Sequence, residues 1–170
     1  MHLTNQIVVY TTIVSTGFYE IMNDSRTTID TIAANCIAVR VRLLNRVVTN
    51  FYDDALRPLG LKASQLNILI VAAKLGLARP ARVCEILQLD TSTLSRNLER
   101  MLAHGWLEVV PDEDARAQPF RLTPQGRKLI EKAVPAWNEG QRQARELLGD
   151  AGVKVLEKAA QKLHRPTTRG

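Results

Sequence analysis

LDTSTLSRNLERMLAHGWL, residues 89–107, combines an apolar helix face, a basic polar face and a helix stop in one short span. Leu94, Leu98, Met101 and Leu102 recur at three- and four-residue steps, the spacing of a buried helix face. The other face carries Ser92, Thr93, Ser95, Arg96, Asn97 and Arg100, with Glu99 as its one acid. Short hydroxyls, an amide and two arginines make a surface that can come close to base edges and phosphates. An ordinary solvated face is the competing reading, although such faces usually carry more Glu and Lys. Asp90 or Thr91 can cap the first turn, and Gly105 ends the run, so the spacing predicts a helix over 91–104.

Working outward, Pro80 stands where a first helical residue would. It opens a short helix to Leu87 with Val83, Cys84 and Leu87 inward, and Gln88-Leu89-Asp90 turns into the polar helix. A helix over 63–75 comes before it, with Leu66, Leu69, Ile70 and Ala73 expected inside and Gly76 closing it. After Gly105 the period falls to two: Trp106–Val110 reads as a strand and Pro119–Thr123 as its return, around a polar tip from Pro111 to Gln118. Two short helices, a polar third helix and a β-hairpin follow the order of a winged helix-turn-helix.

Long helices flank this lobe. From Ile29 to Leu56 a stripe of Ile32, Cys36, Val39, Leu43, Val47, Phe51 and Ala55 is widened by Ala38, Val41, Leu44 and Val48. A surface that broad suits a central core helix or a dimer seam equally, and Pro58 and Gly60 end it. Thr123 caps a helix that starts at Pro124 and runs to about Leu148, with a kink expected at Pro135. Gly149-Asp150 separates a last helix with Val153, Leu156, Ala160 and Leu163 in register. Residues 1–28 differ from all this. Their apolar run, Ile7 to Val14, falls short of the roughly 20 residues that cross a bilayer. It also lacks the basic start and cleavage site of a signal peptide, and reads as an arm of unknown role.

The 170 residues carry a formal net charge of +6, which favours an acidic partner such as nucleic acid. Aromatics at 5% are too few for a platform that stacks single-stranded bases. The two cysteines, Cys36 and Cys84, fit a reducing cytoplasm and no zinc pattern, and His2, His104 and His164 have no ligand partners at metal spacing. No phosphate loop, nucleophile elbow or metalloprotease motif is present, so neither an enzyme nor a cofactor is expected. No helix sets Lys and Arg beside an exposed apolar face, which disfavours membrane binding.

In order and spacing, several fragments together resemble the MarR family of winged helix-turn-helix regulators over about 33–163. They are Phe51-Tyr52-Asp53-Asp54-Ala55-Leu56-Arg57-Pro58-Leu59-Gly60-Leu61, Leu89 through Arg96, Gly105-Trp106-Leu107, Asp114-Ala115-Arg116, and Arg121 through Gly126. The resemblance implies a mainly α (α+β) fold. Residues 29–57 and 124–165 would form dimerisation helices and 61–123 a DNA-binding lobe. It also implies a cytoplasmic homodimer that binds double-stranded DNA, usually as a repressor, and releases it on meeting a small aromatic or phenolic effector.

On that footing the 91–104 helix enters the major groove. Arg96 is assigned to guanine edges or phosphate, and Ser92, Thr93 and Ser95 to phosphates and thymine methyls. Asn97 goes to adenine if it points outward, and Arg100 to phosphate. Arg116 matches the family's minor-groove arginine, with Asp114 holding it. A plain hairpin ion pair is the alternative for those two. Two-fold symmetry would space the reading helices roughly 34 Å apart on a pseudo-palindromic operator. Phe51 and Trp137 are candidates to line an effector pocket between dimer helices and lobe, with core packing as the competing role. His104 is expected to sit at a helix end, favourably placed near its carbonyls. In peroxide-sensing relatives the reactive cysteine falls at the position of Ala38 and its tyrosine partner at that of Arg42. Cys36 is therefore two residues off, and redox sensing through it is the lesser alternative. A winged module that binds protein without reading DNA is the main alternative from another class.

Overall fold

Residues with positive φ follow the helices that end at Leu75, Leu87 and Ala103, namely Gly76, Gln88 and Gly105. The computed structural model describes residues 28–112 and 118–163. Its elements are α1 (Thr28–Asn35), α2 (Ile37–Leu56), a 3-10 turn (Arg57–Leu59), α3 (Ala63–Leu75), α4 (Pro80–Leu87), α5 (Thr91–Ala103), β1 (Leu107–Val109), β2 (Phe120–Leu122) and α6 (Pro124–Leu163). The arm over 1–27, the tip over 113–117 and the tail from His164 lie outside the described residues.

Contacts divide the chain into two units, one up to Arg46 and one from Val47 onward. Among its described residues the first unit holds α1 and the first half of α2. The single helix expected over Ile29–Leu56 is interrupted at Cys36. Side chains compete for carbonyls at the break: Asn35 Nδ2 donates to the Thr31 carbonyl (2.9 Å) and the Arg40 guanidinium to that of Ala34. Much of the apolar stripe faces outward, with Ile29, Ile32, Ile37 and Val41 all more than half exposed.

In the second unit α3 is the central element. Gln65, Leu66, Ile68, Leu69 and Ala72 are buried. The expected inward Ile70 is 40% exposed and Ile68 takes its place. The buried row follows steps of three and four from Gln65, and Ile70 falls off that row. Asp53 of α2 accepts the first N–H of this helix, at Ala63 (2.7 Å). Around α3 close Leu56, Leu61, Val83, Leu94, Met101, Leu107 and Phe120.

The strands pair antiparallel, Leu107 with Leu122, Glu108 with Arg121 and Val109 with Phe120. Ala78, in the α3–α4 connection, exchanges both backbone hydrogen bonds with Phe120 (2.8 and 2.9 Å). This isolated bridge ties the hairpin to the α3–α4 connection. At the C-terminal end, α6 keeps helical angles through Pro135 and breaks at Gly149 (φ 63, ψ 167). The fixed φ of Pro135 is compatible with these helical angles, although the ring removes one hydrogen bond.

α5 ends in a Schellman motif. Gly105 adopts φ +67, its N–H donates to the Leu102 carbonyl (2.9 Å), and the Trp106 N–H donates to the Met101 carbonyl (3.0 Å). The start of α6 is bonded onto this turn. Thr123 N–H donates to the Trp106 carbonyl (3.1 Å), Thr123 Oγ1 donates to the Gly105 carbonyl (2.7 Å), and the same oxygen accepts the Gly126 N–H (3.0 Å). A Cβ on Gly126 would overlap the Trp106 carbonyl and come within 2.7 Å of Leu122 Cδ1. Alanine in an open helix gains up to about 1 kcal/mol over glycine. Here the clash reverses that sign, and Gly126→Ala is expected to lose about 1–3 kcal/mol in urea unfolding at constant m-value. A stabilised variant would refute the close approach.

Candidate nucleic-acid interface

α5 is anchored inward by Leu94 and Met101, both fully buried, with Leu98 and Leu102 half-buried beside them. Asp90 caps its first turn. The carboxylate accepts the Thr93 N–H (2.8 Å), the Ser92 hydroxyl (2.6 Å) and the Thr93 hydroxyl (2.7 Å). These bonds, the Ser92 hydroxyl first and then those of Thr93, hold the Asp90 carboxyl well below the usual carboxylate range. Arg96 folds back along the helix, with Nε 3.2 Å from the Ser92 carbonyl and Nη2 3.4 Å from Ser92 Oγ.

The outer face of α5 therefore presents Ser92, Ser95, Arg96 and Arg100, all exposed. Thr93 is half-buried with its hydroxyl committed to Asp90. Asn97, assigned to adenine on condition that it points outward, is half-buried, and its amide donates to the Thr93 carbonyl one turn back (2.9 Å). An amide at that helix position satisfies the nearer backbone acceptor first. His104, at the helix end as expected, stacks its ring on Trp106 with centroids 4.6 Å apart.

At the hairpin, Arg121 Nε donates to Glu108 Oε1 (2.6 Å), and Arg79 Nη2 donates to Asp112 Oδ2 (2.8 Å). The second pair spans 33 positions, so the sequence held no local signal for it. Asp114 and Arg116 lie outside the described residues. Among the described residues no cluster of metal-binding side chains occurs, and no helix is long and apolar enough to cross a membrane.

A family model described as "MarR family" matches residues 59–117, the stretch from the start of the lobe into the wing. Over that stretch the chain is similar to the MarR family. It is 29% identical over 93 residues to the multiple antibiotic resistance protein MarR of Salmonella typhimurium, a match covering 54% of this chain and 65% of that protein. It is 30% identical over 107 residues to the transcriptional regulator PecS of Dickeya dadantii, covering 61% of this chain and 63% of that one. In fold it is similar to an E. coli MarR mutant complexed with operator DNA, with TM-score 0.70 and 21% identity over 82% of this chain and all of the other. It is also similar to BpsR of Bordetella bronchiseptica, whose structure concerns regulation of DNA binding by 6-hydroxynicotinic acid. That match has TM-score 0.68 and 21% identity over 76% of this chain and 94% of the other.

Within this fold a cavity of about 300 Å³ is lined by Val48, Thr49, Tyr52, Ala63, Leu66, Asn67 and Trp137. Trp137 lines this cavity and Phe51 does not. Its neighbour Tyr52 is, since one step along a helix turns the side chain by about 100°. The Tyr52 hydroxyl donates to Gln141 Oε1. Burial pushes the Tyr52 phenol up, against a smaller pull from the Arg145 charge. Cys36 and Cys84 are both free thiols and half-buried.

The Asp90 cap gives a test by pH. A carboxyl whose folded pKa is depressed stabilises the fold above its unfolded value, near 4, and loses that contribution as pH falls towards the folded one. Asp90→Ala is therefore expected to lower the melting temperature at pH 7, with the gap to wild type narrowing below about pH 4. A gap independent of pH in calorimetric melts would count against a charged cap.

Proposed function

We propose that this chain is a transcriptional repressor that binds double-stranded DNA sequence-specifically as a homodimer, inside the cell, and lets go when a small aromatic molecule binds. The carrying observation is the outer face of α5. A helix anchored by buried Leu94 and Met101 turns Ser92, Ser95, Arg96 and Arg100 outward, with Glu99 as its one acid. That chemistry suits a major groove. In this reading Arg96 swings off Ser92 to a guanine edge or phosphate, Arg100 takes phosphate, and Ser92 and Ser95 contact the backbone. Thr93 offers its methyl group, Asn97 steadies the helix, and Arg116, oriented by Asp114, enters the adjacent minor groove.

Dimerisation is supported by apolar side chains left to water in the single chain. Ile29, Ile32, Ile37 and Val41 stand out on α1 and α2, and Val155, Leu156 and Leu163 on the last part of α6. Covering such side chains in a second copy would remove apolar surface from water. The cavity lined by Tyr52 and Trp137 is the proposed effector pocket.

The test is fluorescence anisotropy on duplexes that the protein selects from random-sequence DNA. Arg96→Ala is expected to weaken specific binding by about tenfold or more and to relax preference at one base pair per half-site. Arg116→Ala is expected to weaken binding and lower the salt slope by about one per wing. Failure to select any duplex, or an Arg96→Ala protein with wild-type affinity, would overturn the proposal.

A further inference from the structure

The Arg79–Asp112 pair differs in kind from the other ion pairs of the lobe and α6. Arg57–Asp54, Arg82–Glu85 and Arg142 with Glu139 and Glu146 are local pairs along one stretch of helix, and Arg121–Glu108 spans the two strands of the hairpin. Arg79–Asp112 instead joins the N-terminus of α4 to the segment where the chain leaves β1 for the wing tip.

Both ends of that link rise from constrained backbone. Ala78, just before Arg79, has its N–H and C=O paired with Phe120, and the Arg79 carbonyl accepts the Val83 N–H (3.1 Å) as α4 begins. Pro80 restricts Arg79 to extended backbone, and it is found there at φ −91, ψ 133. On the other side the Val110 N–H donates to the Pro119 carbonyl (2.8 Å), closing the hairpin two residues before Asp112. The Asp112 side chain is only 18% exposed, against 55% for Arg79. A partly shielded carboxylate feels its partner's charge more strongly than one in open water, because the local dielectric is lower. Because α4 also packs on α5, the guanidinium is a strut between the two helices of the helix-turn-helix and the wing.

We propose that Arg79 is a positioning residue for DNA binding: through Asp112 it sets the direction in which the wing leaves the lobe, so that wing and α5 meet the duplex together. This rests on the DNA-binding reading above. The wing would engage a minor groove flanking the major groove entered by α5, and losing the strut should free the first contact without disturbing the second.

Footprinting of the full-length protein on a duplex selected by the wild type tests this, with hydroxyl radicals reporting the minor groove and dimethyl sulfate the major-groove guanines. Arg79→Gln is expected to bind about five-fold more weakly. It should lose radical protection at the outer flanks, keep central guanine protection, and melt at the wild-type temperature. The reversed pair, Arg79→Asp with Asp112→Arg, is expected to recover the flank protection. Weaker binding with flanks still protected would make Arg79 a direct phosphate contact and overturn the proposal. So would an unchanged footprint, or a uniform loss with a lowered melting temperature. A wild-type protein that selects no duplex would instead sink the DNA-binding reading itself.

Discussion

One backbone carbonyl, that of Trp106, sits where three elements meet. The residue carrying it donates its own N–H to Met101, ending α5, while its oxygen accepts from Thr123 and lies against Gly126 at the start of α6. Thr123 Oγ1 closes the knot by bonding Gly105 on one side and Gly126 on the other, and Gln125 Nε2 adds a bond to the His104 carbonyl (3.0 Å). For the dimer proposed above, the direction of the polar face of α5 must be set relative to the helix that would bring in the second copy. Several hydrogen bonds and a side-chain-free approach set that direction within a few residues. A larger residue at Gly126 or a lost hydroxyl at Thr123 would therefore act on the whole arrangement.

The parts legible in sequence were those whose signal is local. Helix periodicity around Leu94 and Met101, the Asp90 cap, Gly105 and the Thr123-Pro124 start all state their roles within four residues of themselves, and the structure has these elements within a residue or two. The errors arise where local preference is balanced by something distant or by a competing side chain. Asn35 and Arg40 take carbonyls at the end of α1 and interrupt a stripe that periodicity alone would continue. Ile68 and Ile70 are equally apolar, and only the packing around α3 decides which is buried.

The candidate site divides in the same way. Its exposed arginines follow from the helix face. Which hydroxyls and amides are already spent follows only from geometry: Thr93 on Asp90 and Asn97 on the Thr93 carbonyl. That Tyr52 and not Phe51 lines the cavity turns on one helical step. Arg79 and Asp112 could not be paired without the Ala78–Phe120 bridge that brings the α3–α4 connection beside the hairpin. Acids look adverse in the DNA-binding wing proposed above, and for Asp112 the structure supplies a reason: it holds Arg79 of the lobe.

The central claim is that two such lobes read one duplex as a symmetric pair. Footprinting of the purified protein on the DNA flanking its own gene, at two salt concentrations, tests it most directly. The account predicts a protected pseudo-palindrome of about two helical turns, its half-sites roughly 34 Å apart and its occupancy falling steeply with salt. Protection of a single asymmetric half-site, or retardation blind to sequence, would contradict it.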